Sequence, residues 1–183
     1  MYTEKDAKAT WNSMINRCAN GYAKVCDEWK SYIKFKQWYF DNVYGTKQFK
    51  LQLDKDLFSI GEKIYSPETC CFLPKSLNSL IASCTSRNGL LPGVQLTKAN
   101  TYKASIGHIG KYSEKVFEAE YEAFEYYKIV KEKHIKIAAE AYEFLLPDRI
   151  YKALLEYEIK PIRRVCRNPE NLKKSFIYGQ GIR

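Results

Sequence analysis

The chain has 183 residues, of which 45% are hydrophobic, and it contains no apolar run long enough to cross a bilayer. Its formal net charge is +9 at pH 7, and aromatic residues make up 15% of the sequence. These values exclude a membrane-spanning protein, and the combination of basic and aromatic residues favours a nucleic-acid partner.

Two amphipathic helices are predicted in the first 45 residues. Residues 3–18 begin with Thr3 and Asp6 in capping-box positions. The apolar residues that follow at helical spacing are Ala7, Trp11, Met14, Ile15 and Cys18. After the Asn20-Gly21 turn, residues 28–45 predict a second helix with a broad aromatic face. The residues expected on that face are Trp29, Tyr32, Ile33, Phe35, Trp38 and Tyr39.

A hairpin followed by a helix is predicted over residues 53–82. Leu53 to Leu57 form the first strand, a Gly-containing turn follows, and Ile64 and Tyr65 return as the second strand. Ser66 is a plausible N-cap with Pro67 behind it, so a single helical turn can start there. A short strand, residues 70–73, then leads into a helix with Leu77, Leu80 and Ile81 on one face and Asn78 on the neighbouring side.

This segment resembles the ββα-metal core of HNH-type endonucleases, in the diverged form common in bacteriophage genomes. The resemblance extends over residues 11–78, because the preceding helices carry Trp11, Met14, Arg17-Cys18 and Cys26-Asp27-Glu28-Trp29 in the expected order. It implies a catalytic site formed by Asp54, Lys55 and Asn78. Asp54 and Asn78 would bind Mg²⁺ or Mn²⁺ as the cofactor.

Two positions of the family pattern are changed. Lys55 stands where the family has its His, and Thr69 stands where it has its middle Asn. The His takes a proton from the attacking water, and a lysine of ordinary basicity is protonated at neutral pH. The resemblance therefore implies a core that has lost its chemistry. The alternatives are a live nuclease with an unconventional base, and a simple polar turn with solvated charges.

The six cysteines are expected as thiols or metal ligands rather than disulfides. The first residues contain no apolar segment of the signal-peptide type, which favours a reducing compartment. Cys18, Cys26 and Cys70 could hold a structural Zn²⁺, but they lack the paired Cys-x(2–4)-Cys spacing of such sites. Buried free thiols are therefore the expectation.

A second domain is predicted at residues 93–146, after a linker at residues 83–92 with the Asn88-Gly89 turn signal. Alternating residues predict two strands, and residues 109–112 predict a short third strand. A continuous helix then carries Phe117, Tyr121 and Phe124 on its apolar face, with Lys131 among the surface acids. Residues 93–112 contain three lysines and no acidic residue.

This domain resembles the ethylene-response-factor type of DNA-binding domain, which has three strands and one helix. The matching segments are residues 93–94, 102–106, 109–112 and 118–128. The resemblance implies that the exposed sheet face enters the major groove of double-stranded DNA. The implied DNA-binding residues are Gln95, Thr97, Lys98, Lys103, Ser105 and Lys111. Only Gly107 and His108 separate two of these segments, so short strands are expected. The alternative is a generic βββα module whose sheet packs on the first domain.

Residues 147–183 predict a helical extension after Pro147 and a basic tail. Arg163, Arg164 and Arg167 lie in a stretch without periodic apolar residues, so they are expected to contact phosphates or simply to add solubility. The whole chain is thus predicted to be an α+β protein.

The resemblances together predict a phage-type double-stranded DNA-binding protein derived from an HNH homing endonuclease. It would act in the cytoplasm of the bacterial host. One alternative function is a metal-dependent homing or nicking endonuclease. The other is an interaction protein that blocks a host defence enzyme and uses its basic surface to occupy a nucleic-acid-binding groove.

Overall fold

The structure, a computed structural model, describes residues 1–59, 63–82, 89–108 and 111–163. Within these residues it is a mixed α+β protein with five α-helices and three small sheets, which confirms the predicted fold class. None of the described helices is both long and apolar enough to cross a membrane. Two compact units are formed, the first by Met1–Ala82 with Ile135–Tyr157 and the second by Ser83–His134 with Glu158–Arg183. Residues 135–146, predicted to belong with the second sheet, thus group with the first unit.

The first helix of the first unit, α1, runs over Glu4–Ala19. The backbone N–H and the hydroxyl of Thr3 donate to Asp6 Oδ2 at 2.7 and 2.6 Å, so the predicted capping box is confirmed. Ala7 and Met14, on the predicted apolar face, are buried.

The second helix, α2, is shorter than predicted and covers Tyr32–Asn42. Trp29 lies before it in a 3₁₀ turn, Glu28–Lys30. The helical repeat therefore starts at Tyr32 and points Phe35 and Tyr39 at the core, both of which are buried. Ile33 lies two positions from Phe35 and is 75% exposed, so its predicted place on the aromatic face is wrong.

The predicted hairpin between residues 53–57 and 64–65 is wrong. Strand β1 is Lys24–Val25, β2 is Leu51–Asp54, β3 is Ile64–Tyr65 and β4 is Cys71–Pro74. Strand β2 pairs antiparallel with β4, whereas β3 pairs in parallel with β1. The fully buried β4 offers β2 a four-residue partner with Phe72 opposite Leu53, and the two-residue β3 cannot match it.

In the first unit, the antiparallel pair of β2 and β4 nevertheless leads directly into a helix. Helix α3, Lys75–Ala82, follows β4 directly and buries Leu77 and Ile81, as predicted. The loop between β2 and β4 contains the turn at Ser66, where Thr69 N–H contacts the Ser66 hydroxyl at 3.3 Å. The unit thus contains an antiparallel pair, β2 and β4, followed by α3, and β3 lies in the connection between the two paired strands.

The second unit contains the predicted three-stranded sheet. Its strands are β5, Val94–Leu96, β6, Tyr102–His108, and β7, Lys111–Phe117, paired antiparallel in that order. The expectation of short strands for β6 and β7 is wrong, because each has seven residues and they stay paired up to His108 opposite Lys111. Phe117 therefore lies in β7 rather than on the helix.

One face of this sheet is covered by helix α4, Glu120–Ala141. The buried residues of the sheet and of the facing part of the helix are Val94, Ala104, Ile106, Ala123, Phe124 and Tyr127. Helix α5, Asp148–Leu155, begins after Pro147 and belongs to the first unit. The predicted break at Pro147 is confirmed.

Gly93 provides a test of how the helix packs on the sheet. It adopts a φ of +74°, and a Cβ there would lie 2.2 Å from a ring carbon of Tyr127. Gly89 has a φ of +76° with no atom within 4 Å of such a Cβ. A left-handed backbone costs either alanine variant about 1–2 kcal/mol. We expect Gly93→Ala to lower the unfolding free energy by more than Gly89→Ala in denaturant titrations followed by circular dichroism. Equal losses would contradict the close packing of Tyr127.

Candidate functional site

A cavity of about 360 Å³ in the first unit brings together all three residues predicted to be catalytic, Asp54, Lys55 and Asn78. Its walls come from α1, the loop after it, β2 with the following turn, β3 and α3. The lining residues are Arg17, Tyr22, Leu53, Asp54, Lys55, Asp56, Tyr65, Asn78 and Ala82. Arg17, Tyr22 and Tyr65 were not predicted, because elements distant in sequence bring them to the cavity. Asp56, two residues after Asp54, was not predicted either.

Asp54 ends β2 and shapes the turn that follows. Its Oδ2 accepts hydrogen bonds from the backbone N–H groups of Asp56 at 2.9 Å and Leu57 at 2.8 Å. An aspartate that binds the next backbone amides in this way closes a tight turn. The residue is only 4% exposed, and burial raises the pKa of its carboxyl to about 6 despite these hydrogen bonds.

Lys55 lies at the wall of the cavity and is 2% exposed. Its Nζ donates to Asp56 Oδ1 at 2.7 Å. The same nitrogen is 5.2 Å from the ring centre of Tyr22 and 5.6 Å from that of Tyr65. A carboxylate and aromatic faces both stabilise an ammonium group. Because an ammonium has no lone pair, Lys55 in this arrangement cannot take a proton from water.

Asn78 and Arg17 complete the polar lining. The amide nitrogen of Asn78 donates to Gln52 Oε1 at 2.9 Å and so ties α3 to β2. Arg17 Nη1 donates to the hydroxyl of Tyr65 at 3.2 Å. No carboxylate among the described residues forms an ion pair with Arg17. Asp56 interacts with Arg17 electrostatically, but no described carboxylate lies within ion-pair distance of its guanidinium.

The donor set of this cavity does not fit a resident divalent cation. Mg²⁺ requires near-octahedral oxygen coordination, usually with one or two carboxylates. Here Asp54 uses Oδ2 in its turn, Asp56 is bound to Lys55, and Arg17 adds a further positive charge. Within the described ranges no group of three His, Cys, Asp or Glu residues is placed to hold a metal ion. Binding of Mg²⁺ or Mn²⁺ to Asp54 and Asn78 stays a prediction, and no reaction step is derived from it.

Thr69 and the cysteines lie outside the lining of this cavity. Thr69 Oγ1 donates to the carbonyl of Ile64 at 2.7 Å and belongs to a local turn. Cys18, Cys26 and Cys70 are free thiols. Burial raises the pKa of Cys70 to about 12 and that of Cys18 above its ordinary value. Burial thus disfavours the thiolates that zinc requires.

The second candidate surface is the sheet face opposite α4, which we call the outer sheet face. The register places Gln95, Lys103 and Val116 in one row of this face. Ser105 and Glu114 form the next row. Gln95, Lys103 and Ser105 therefore share a face, as the resemblance implied.

Of the other three predicted DNA-binding residues in this domain, two lie in the turn between β5 and β6, and the side chain of the third is not described. Thr97 is in the β5–β6 turn, with its hydroxyl 2.7 Å from that of Thr101. Lys98 is exposed in the same turn. Lys111 opens β7, and its side chain is outside the described part of the structure.

Glu114 changes the charge of the outer sheet face. Lys103 Nζ donates to Glu114 Oε1 at 2.7 Å, and the Ser105 hydroxyl is 3.5 Å from the same oxygen. Glu114 follows the acid-free stretch of residues 93–112, so counting charges along that stretch could not find it. The signal that could have found it is the pairing register of β6 with β7, which sets residue 105 opposite residue 114.

Two basic residues do not lie where the sequence placed them. Arg163, predicted in a free basic arm, donates to the carbonyl of Gly89 at 2.9 Å and to Glu120 Oε2 at 2.8 Å. Lys131, predicted on the helix surface, is 2% exposed and its Nζ is 3.5 Å from the carbonyl of Gly107. Arg164 and Arg167 lie outside the described residues.

No protein family, curated protein or solved structure matches this chain. The two resemblances drawn from its residues therefore remain expectations. What its sites can do follows from their own geometry.

The raised pKa of Asp54 predicts a pH-dependent gain in stability for Asp54→Asn. Because the folded pKa of about 6 exceeds the ordinary 3.8, ionising Asp54 destabilises the fold. That cost is absent below about pH 3.8, grows up to about pH 6 and is complete above it. Asparagine can accept the same two backbone hydrogen bonds. We expect Asp54→Asn to raise the unfolding free energy at pH 7.5 by at most about 3 kcal/mol, and by much less at pH 4.

Asp56→Asn is the matched control for this measurement. It removes the carboxylate partner of buried Lys55 and should therefore lower the unfolding free energy. Urea titrations at the two pH values, followed by circular dichroism, measure both variants. A pH-independent effect of Asp54→Asn would contradict the raised pKa.

Proposed function

We propose that this protein binds double-stranded DNA through the outer sheet face of the second unit and does not cleave it. It would be a phage-type protein derived from HNH homing endonucleases, acting in the cytoplasm of the bacterial host. The observation that carries the proposal is the three-stranded antiparallel sheet with one face covered by α4. Its opposite face carries Gln95, Lys103 and Ser105 in adjacent rows.

The dimensions of a strand suit the major groove. Side chains two residues apart on one face of a strand are about 7 Å apart, roughly the rise of two base pairs. Lys103 and Ser105 have this spacing on β6, and Gln95 lies beside Lys103 on β5. The major groove is wide enough to admit a β-ribbon, and these residue types donate hydrogen bonds to base edges or phosphates.

Glu114 would moderate the affinity for DNA. Its ion pair with Lys103 is partly exposed, with 26% of the lysine side chain and 39% of the glutamate side chain accessible. Ion pairs at solvent-exposed positions typically contribute at most about 1 kcal/mol. A phosphate can therefore replace Glu114 as the partner of Lys103, at a small loss in binding free energy.

The absence of cleavage would follow from Lys55. General-base activation of water typically contributes about 10²–10⁴-fold to such a reaction. The contacts of Lys55 with Asp56 and two tyrosine rings hold it as an ammonium, which cannot supply that contribution.

A protein partner is the second candidate for the outer sheet face. Val116 is 54% exposed in the row of Lys103, and Glu114 lowers the positive charge of the face. Both features suit a protein surface better than a phosphate backbone. This candidate corresponds to an interaction protein that blocks a host defence enzyme.

Paired substitutions on the outer sheet face test DNA binding. Lys103→Gln should weaken binding to duplex DNA, and Glu114→Gln should tighten it by up to about fivefold, because it removes the negative charge that competes with phosphate for Lys103. About five phosphate contacts would give a log–log salt slope near ~4.5 in magnitude, which Lys103→Gln should reduce by about 1. Fluorescence anisotropy over a salt series measures both quantities.

Lys133→Gln is the control, because Lys133 is an exposed lysine on α4. It removes the same charge as Lys103→Gln away from the outer sheet face. If Glu114→Gln left the affinity unchanged or lowered it, Lys103 would not contact DNA. Binding that does not respond to salt, or that is equally weakened by Lys133→Gln, would favour the protein-partner candidate.

A nicking assay tests the loss of cleavage. Supercoiled DNA incubated with the protein and Mg²⁺ or Mn²⁺ should stay intact, because Lys55 supplies no base. Lys55→His places an imidazole at this position and is compared directly with the wild type. Nicking by the wild type that disappears in Asp54→Ala would show that the protein is a nuclease and would refute this part of the proposal.

A further inference from the structure

The cavity of the first unit has polar groups that its own contacts leave available. Asp56 is bound to Lys55, and Asp54 Oδ2 is bound to two backbone amides. The other oxygen of Asp54 accepts no hydrogen bond from the described residues, and neither does the amide oxygen of Asn78. The guanidinium of Arg17 has one hydrogen bond, to the Tyr65 hydroxyl, and no ion pair within the described chain.

The available groups include both cationic hydrogen-bond donors and oxygen acceptors. Arg17 offers several N–H donors in the planar arrangement that fits a carboxylate. Asp54 and Asn78 offer oxygen acceptors that suit an ammonium group. A ligand that satisfies both sides therefore carries a negative group and a positive group.

The lining carries equal numbers of positive and negative charges, which favours a ligand without net charge. Arg17 and Lys55 supply two positive charges, and Asp54 and Asp56 supply two negative charges. Sites for the phosphate backbone instead present an excess of Lys and Arg, because their affinity comes from neutralising phosphates. The volume of about 360 Å³ is at the lower end of the range for small-molecule sites, roughly 300–1,000 Å³.

We propose that this cavity binds a small zwitterion of the free α-amino acid class. Its carboxylate would bind Arg17, and its ammonium would bind Asp54 and Asn78. Leu53 and Ala82 give the cavity an apolar wall for a modest side chain. This ligand site lies in the first unit and does not depend on DNA binding by the outer sheet face.

The test is calorimetric titration of the full chain at pH 7.5 with each of the free L-amino acids that build proteins. At least one should bind saturably. Its N-acetyl derivative, which lacks the ammonium, and its carboxamide, which lacks the carboxylate, should each bind about tenfold more weakly or worse. Arg17→Gln and Asp54→Asn should weaken binding of the free amino acid by a similar factor.

Lys30→Gln is the matched control, because Lys30 is an exposed lysine paired with Asp27 outside the cavity. It should leave the affinity unchanged. The proposal fails if no amino acid binds, if the blocked derivatives bind as well as the free form, or if inorganic phosphate binds equally well. The blocked derivatives are tested on the wild type, so the result stands even where a variant fails to fold. Duplex binding is scored separately, and its failure would leave this result untouched.

Discussion

The ion pair between the buried Lys55 and the half-buried Asp56 shapes the cavity of the first unit. Removing Asp56 would leave the ammonium group of Lys55, whose side chain is 3% exposed, without its carboxylate partner. The pair also fixes the turn that Asp54 begins, since Asp56 is both the partner of Lys55 and a backbone donor to Asp54. The shape of the cavity therefore depends on this interaction.

The second unit contains an ion pair whose lysine is more accessible to solvent. Lys103 and Glu114 meet on an open sheet face, where water competes with their contact. The side chain of Lys103 is 26% exposed and that of Lys55 is 3% exposed, so Lys103 can exchange its carboxylate partner for another anion more readily than Lys55 can. This difference in burial is the reason for assigning recognition of DNA to the outer sheet face and a structural role to Lys55 with Asp56.

The sequence predicted correctly those helices and strands whose formation depends on residues close together in the chain. The capping box of Thr3 and Asp6, the apolar face of α3 and the first two strands of the second unit all follow from residues close together in the chain. The pairing of β2 with β4 could not be predicted in this way, because it depends on which buried strand competes best for Leu53. Likewise, Glu114 meets Lys103 only through the register of two strands.

Of the residues that line the cavity, the sequence predicted three as catalytic and missed those that only tertiary packing brings there. Asp54, Lys55 and Asn78 were found through a family pattern, while Arg17 and Tyr65 reach the cavity from α1 and β3, whose placement is set by tertiary packing. Hydrogen–deuterium exchange with and without duplex DNA shows which part of the chain contacts DNA. If the outer sheet face binds DNA, peptides that cover β6 and β7 become protected and peptides that cover residues 51–57 do not. Protection at residues 51–57 with none in the sheet would contradict DNA binding by the outer sheet face.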